Sequence, residues 1–165
     1  MQRPEIAIRK AQEGDIERLA ALVRRLCEEE GKSCAAISVP RLVELFAMPG
    51  LRLEAFLAEA DDVLVGYLAF YGVVSLFKCD SVLLVENMYV SPAYRTLGVG
   101  RMLMGAVAAE AVARGWDRIE LNVRDDNDTA CRFYQRLGFQ AAQESVRRIE
   151  GERLHLLASR RSRVE

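Results

Sequence analysis

The sequence predicts a mixed α/β fold, one mostly antiparallel sheet flanked by helices on both faces. Three observations point to it. Segments of period two alternate with segments of helical period in the order β-α-α-β-β-β-α-β-α-β-β. A run of consecutive strands feeds a βαβ unit, which places helices over a mixed sheet. The chain has 165 residues, 51% apolar and 28% charged, enough to bury a real core in one domain. There is no internal repeat, low-complexity linker or break in composition, so residues 1–165 are expected to form a single domain.

The elements follow in order. "EIAIRK" (5–10) alternates as a first strand. Asp15 is placed to cap a helix carrying Ile16, Leu19, Leu22, Val23 and Leu26 at helical spacing, and Gly31 to end it. "PRLVELFAM" (40–48) reads as a short helix stopped by Pro49-Gly50. "LRLEAFLAEA", then Asp61-Asp62, then residues 63–71 read as a β-hairpin, and "SVLLVENMYV" (81–90) as the next strand. Residues 98–114 carry helical periodicity up to Gly115, with Trp116 expected to pack in the core. "DRIELNV" (117–123) alternates, and "DTACRFYQRLG" (128–138) is a short helix. "FQAAQESVRRIE" and "ERLHLLA", joined around Gly151, are expected to be two final strands.

Composition excludes several classes. A net charge of −1 lacks the basic excess of a general nucleic-acid binder. Four cysteines without a C-x-x-C pair, and one histidine, assemble no zinc spacing, so no metal is expected. Free thiols suit a reducing compartment. The N-terminus lacks the apolar stretch of a signal peptide, and the longest uncharged run, 63–77, is too short to cross a bilayer. A cytoplasmic protein with no membrane partner is expected.

"VENMYVSPAYRTLGVGRML" (85–103) carries the chemistry. It places a carboxylate, Glu86, in an apolar strand and two glycines at a helix entrance. A helix N-terminus presents unpaired N–H groups and partial positive charge, and glycines let an anion approach the backbone. Leu97, Gly98, Val99, Gly100 and Arg101 would surround such an anion, with Arg95 and Arg101 as nearby cations. A plain turn into a helix is the alternative. The third glycine of a dinucleotide fingerprint and the G-K-[ST] of a triphosphate loop are missing.

"YVSPAYRTLGVGRML" resembles motif A of the GNAT acyltransferase superfamily, R/Q-x-x-G-x-G/A after a strand ending V-x-P, with Arg95, Gly98 and Gly100 in register. "NDTACRFYQRLGF" (127–139) resembles its motif B, with Asn127, Ala130, Phe133, Tyr134, Gly138 and Phe139 matching. The resemblance implies a GNAT-type sheet in which strands 85–91 and 117–123 splay apart to form an acetyl-CoA cleft. It implies that the pyrophosphate sits on the N–H groups of residues 97–101, with Arg95 and Thr96 also among the cofactor-binding residues, that backbone groups of Met88, Tyr89 and Val90 pair with the pantetheine arm, and that Asn127 binds the arm from the other side. Many relatives pair, so a homodimer is also expected.

The implied reaction is acetyl transfer to an amine, which must lose a proton before attack. Glu86 is the expected base, directly or through a water. By strand alternation it shares a face with Val82, Leu84, Met88 and Val90, where a partly buried carboxyl would have a raised pKa. A salt bridge or an edge position is the other reading. A backbone N–H near Val90 is the implied oxyanion donor, and Tyr134 the implied acid for the departing thiolate, unless it only packs against Phe133.

Residues 70–90 look similar to the diamine and polyamine acetyltransferases, but Val85-Glu86-Asn87 replaces a Leu-Glu-Asp pattern and removes one negative charge. A diamine, an amino acid or an aminoglycoside all remain open as the small-molecule amine acceptor. A protein N-terminus or lysine, and a non-catalytic CoA-binding regulatory module, are the alternatives.

Overall fold

The structure, a computed structural model, describes residues 4–77, 79–143 and 146–159. They fall into two compact units, Met1–Arg124 and Asp125–Glu165.

The first unit is built on a sheet of β1 (Ile6–Lys10), β2 (Glu54–Ala60), β3 (Val63–Ser75), β4 (Asp80–Val90) and β5 (Ile119–Leu121), in that spatial order. The first four strands pair antiparallel and β4–β5 is parallel. Asp61 and Asp62, with φ of 49° and 63°, form the tight turn between β2 and β3, the backbone that a two-residue hairpin demands. Between β1 and β2 come α1 (Ile16–Glu29) and α2 (Val39–Ala47). α2 is capped by Ser38, whose hydroxyl accepts from the Arg41 N–H at 3.3 Å. α3 (Val99–Ala113) connects β4 to β5.

Helices cover both faces. Leu19 and Leu22 of α1 pack with Leu57, Tyr67, Ala69 and Tyr89. On the other face Phe56 stacks on Phe70 at 5.6 Å between centroids, and α3 buries Val99, Leu103 and Val107 completely. Truncating Leu19 or Leu103 to alanine would cost about 2–5 kcal/mol, the usual loss for a fully buried leucine. Gly72 is needed for this packing, because a Cβ there would lie 2.7 Å from the ring of Trp116.

Asp15 is not the cap that its position suggested. It is buried, and both its oxygens accept from Arg9 at 2.7 Å. Arg9 also donates to Glu59 at 2.8 Å, so β1, β2 and the start of α1 share one ionic cluster. Asp15 further accepts from the Gln12 N–H at 2.8 Å and so closes the turn before α1.

The second unit holds α4 (Asp128–Arg136) and α5 (Glu152–Ser159). The expected pair of tail strands is corrected here. Residues 139–143 and 146–150 form no strand, residues 144–145 lie outside the described residues, and 152–159 is helix. Glu, Arg, Leu and Ala dominate "ERLHLLAS", all strong helix formers, and the Gly151 carbonyl accepts from Leu154 and His155 to start the first turn.

Candidate active site

The carboxylate in the apolar strand lies at a β-bulge. Along the β3–β4 ladder Ala69 faces Asn87 and Phe70 faces Val85, so Glu86 has no opposite residue. Val85 and Phe70 lie on the α3 face. Alternation turns Glu86 to the α1 face, and the extra residue keeps Asn87 there with Ala69. This corrects the strict alternation read from sequence. Beyond the bulge Glu86 shares its face with Asn87 and Tyr89, whereas Met88 and Val90 point to the other side. Glu86 is exposed rather than partly buried, and its charge acts on the hydroxyls of Tyr67 and Tyr71.

The strand opens at the same place. β5 pairs with β4 only at Leu83, Leu84 and Val85, so from Glu86 to Val90 the ladder continues on the β3 side alone. The backbone groups of Met88 and Val90 there can receive an extended chain on the side that β5 leaves uncovered, whereas Tyr89 turns its N–H and carbonyl to β3, as Ser91 turns its N–H to the Val65 carbonyl. The Val90 carbonyl is already engaged, accepting from Arg95 Nε at 2.8 Å.

β4 leads through a short 3-10 helix, Pro92–Leu97, into α3. Gly98 joins the two with φ +87°, a left-handed backbone that a side chain strains. The first helical bond is from the Met102 N–H to the Gly98 carbonyl at 3.1 Å. The N–H groups of Gly98, Val99, Gly100 and Arg101 therefore have no acceptor within the helix. Gly98 and Arg101 are exposed, whereas Val99 and Gly100 are buried. An uncapped helix end beside an open strand fits a diphosphate on a linear arm. Thr96 is exposed and Leu97 half-buried in the 3-10 helix.

Arg95 is held away from the role of a free cation. Its Nη2 donates to Glu29 at 2.5 Å, and its guanidinium lies 5.7 Å from the centre of the Tyr89 ring. The Tyr89 hydroxyl donates to the same carboxylate at 3.2 Å. Burial, and then Glu29, push the Tyr89 hydroxyl above its usual range. Arg95 thus fixes the C-terminal end of α1 against the end of β4, and Arg101 remains the exposed cation of the cradle.

Sequence reasoning passed over Tyr67. Its hydroxyl is buried, has no hydrogen-bond partner, and is pushed far above its usual range by burial, with Glu30 and Glu86 adding to the effect. Asn87 Oδ1 is likewise buried without a partner. Two oxygen acceptors without donors, on the face that carries Glu86, suit a ligand bearing N–H groups. A tyrosine in a uniformly apolar strand gives no such signal in sequence.

In the second unit, Asn127 Oδ1 accepts from the Ala130 N–H at 3.1 Å and caps α4, a bond that does not use its NH2 group. Tyr134 packs edge-on against Phe133 and Phe139 at 5.2 and 5.7 Å, and burial pushes its hydroxyl above the usual range, so it keeps its proton at neutral pH. Among the described residues, no group of three or more His, Cys, Asp or Glu could hold a metal ion, and no helix is long and apolar enough to cross a membrane.

The model of the Acetyltransferase (GNAT) family matches residues 16–139. The chain belongs to this family. Like other GNAT proteins it is an acyltransferase, an N-acetyltransferase on a fold that binds acetyl-CoA. It is 30% identical to the thialysine N-epsilon-acetyltransferase of Bos taurus, over 94% of this chain and 98% of that protein. It is 32% identical to the L-ornithine N5-acetyltransferase NATA1 of Arabidopsis thaliana over 63% of this chain, but only 47% of that protein is spanned. Among solved GNAT structures, the aminoglycoside N-acetyltransferase AAC(6')-Iy in complex with CoA superposes with a TM-score of 0.75 at 22% identity, covering 90% of this chain and 97% of that one. That likeness confirms the mixed α/β fold.

Proposed function

We propose that the protein transfers the acetyl group of acetyl-CoA to a primary amine of a small molecule, and that a diamino acid or diamine is the preferred acceptor. The observation that carries this reading is the bulge at Glu86. It turns a carboxylate onto the face of β4 just where that strand loses β5 as a neighbour. The thialysine and ornithine relatives act on side-chain amines, by their names. Glu30 and Glu86, set among Tyr67, Tyr71 and Tyr89, make a face suited to a cationic acceptor.

Acetyl-CoA, when bound, supplies the acyl carbon as a thioester. The N–H groups of Gly98 to Arg101 hold its diphosphate, assisted by Arg101, and Thr96 and Leu97 border that cradle. Backbone groups of Met88 and Val90, on either side of Tyr89, align the pantetheine arm, with the Val90 N–H directed at the carbonyl oxygen. Arg95 acts at one remove, by fixing the Val90 carbonyl. Asn127 contacts the arm through its NH2 group. Glu86 takes a proton from the acceptor's ammonium, directly or through a water, so that the free amine can attack, and Tyr134 gives a proton to the departing sulfur.

Residues 1–165 act as one domain on this reading, supported by a family match that runs across the boundary between the two compact units. Cysteines held outside disulfides among the described residues suit a cytoplasmic location. The leucines that α5 exposes, Leu154, Leu156 and Leu157, support a homodimer, testable by light scattering.

The test is thiol release from acetyl-CoA with a panel of amines: thialysine, ornithine, linear diamines, aminoglycosides and peptide N-termini. Release that depends on a small primary amine is expected. Tight CoA binding without release by any amine would replace this reading with a regulatory CoA-binding module.

A further inference from the structure

Cys27 and Cys34 are separated by six residues in sequence and form no C-x-x-C pair. The structure brings them together. Cys27 lies in the last turn of α1, and the chain folds back after Gly31 so that Cys34 returns to that turn. Both sulfurs donate to one oxygen, the carbonyl of Lys32, Cys27 at 3.5 Å and Cys34 at 3.7 Å. Cys34 also approaches the Arg24 carbonyl at 3.8 Å, one turn back along α1. The nearness of Cys27 is the main reason that the Cys34 proton is held above the usual thiol range. Both residues are half-buried, so a small reagent has access.

The pair sits at a consequential point. Glu29, two residues beyond Cys27, accepts from the Tyr89 hydroxyl and from Arg95. Cys27 and Glu30 both act electrostatically on the orphaned Tyr67 hydroxyl. The segment between the two cysteines therefore borders the face that carries Glu86.

We propose that Cys27 and Cys34 form a reversible intramolecular disulfide on exposure to low-molecular-weight disulfides, and that the link alters acceptor binding by constraining the C-terminal turn of α1. One thiolate of the pair attacks a sulfur of the small disulfide and expels one small thiolate, leaving a mixed disulfide on the protein. The second cysteine attacks the protein sulfur of that adduct and expels the second small thiolate. The protein loses two electrons and two protons, and the small disulfide gains them as two thiols. Such a link is of the transient, redox-sensing kind found in reducing compartments.

The closure is tested on the full chain in glutathione buffers of increasing oxidised fraction, with alkylation and peptide mapping. A cross-link between the peptides of Cys27 and Cys34 is expected, retained in a Cys79→Ser/Cys131→Ser variant and lost in Cys34→Ser and Cys34→Ala. Stable glutathione adducts on both cysteines without a cross-link would overturn it. This arm needs no enzymatic turnover, so its failure is distinguishable from failure of the proposed function. In the second arm, the apparent KM for the amine is expected to change about fivefold or more on oxidation, with the KM for acetyl-CoA unaltered. Cys34→Ser should keep the kinetics of the reduced protein in both buffers. Identical amine saturation of reduced and cross-linked protein would overturn the coupling to the acceptor face.

Discussion

Glu86 and Asn87 are neighbours in sequence, yet their side chains leave β4 on the same face. The ladder passes from Ala69–Asn87 to Phe70–Val85 and leaves Glu86 unopposed, so two consecutive polar groups turn towards α1 instead of alternating. At the same point β4 parts from β5. Carboxylate, amide and exposed strand backbone are thereby gathered by one irregularity in the sheet.

Replacing Glu86 by glutamine keeps the shape and removes the base. We expect kcat to fall about 10²- to 10⁴-fold at neutral pH, the usual contribution of general base catalysis. The deficit should shrink at high pH, where more of the acceptor is already free amine. A full pH–rate profile checks this, and an unchanged rate at pH 7 would remove Glu86 from the mechanism.

Tyr67→Phe separates binding from stability. The hydroxyl is buried without a partner, an arrangement that costs a folded protein about 1–3 kcal/mol. The variant should be at least as stable as the parent at neutral pH, with a higher KM for the amine. Because burial raises the folded-state pKa of Tyr67 above its ordinary 10.0, its contribution is intact below pH 10.0 and is lost as pH rises beyond it. The alkaline decline in stability should therefore be shallower in Tyr67→Phe. Denaturant titrations at neutral and alkaline pH, with amine saturation curves, measure all three effects.

At the acid end the sign reverses. The hydrogen bonds from Arg9 are the main reason that Asp15 is held at about 2, below its ordinary 3.8. The carboxylate therefore contributes fully above the ordinary value, and the contribution is lost as pH falls towards 2. Asp15→Asn should cost about 1–2 kcal/mol at neutral pH, allowing for solvent screening at Arg9, whose side chain is 35% exposed. It should also flatten the decline in stability below pH 4. Urea unfolding across that range decides it.

Gly98 is constrained by its backbone rather than by its surroundings. A Cβ there would meet nothing within 4 Å, but φ is +87°. Gly98→Ala should cost about 1–2 kcal/mol and raise the KM for acetyl-CoA, and Gly98→Asn should cost less, since asparagine tolerates the left-handed region. Equal stability of all three proteins would show that the junction into α3 is not left-handed in solution.

Periodicity and turn residues carried most of the fold. Asp61-Asp62 marked the β2–β3 turn, Gly31 the end of α1, and Gly98 the entrance to α3. What sequence could not show depended on distant partners. The bulge exists because β4 pairs with β3 in one register, and nothing local to residues 85–87 encodes that pairing. Asp15 had the chemistry of a cap, but Arg9, which it shares with Glu59, claimed its side chain. Gly151 between two segments with some alternation suggested a hairpin turn, but the helix formers that follow it make it a helix start. Arg95 matched its motif position, while Glu29, the group that fixes it, lies 66 residues away.

The central claim is that the backbone N–H groups at the start of α3 grip the diphosphate of the coenzyme. Its most direct test is an amide NMR titration of the protein with CoA. The account expects the largest downfield shifts at Gly98, Val99, Gly100 and Arg101, the signature of new hydrogen bonds to phosphate oxygens. Saturable CoA binding that leaves those four signals in place would contradict it.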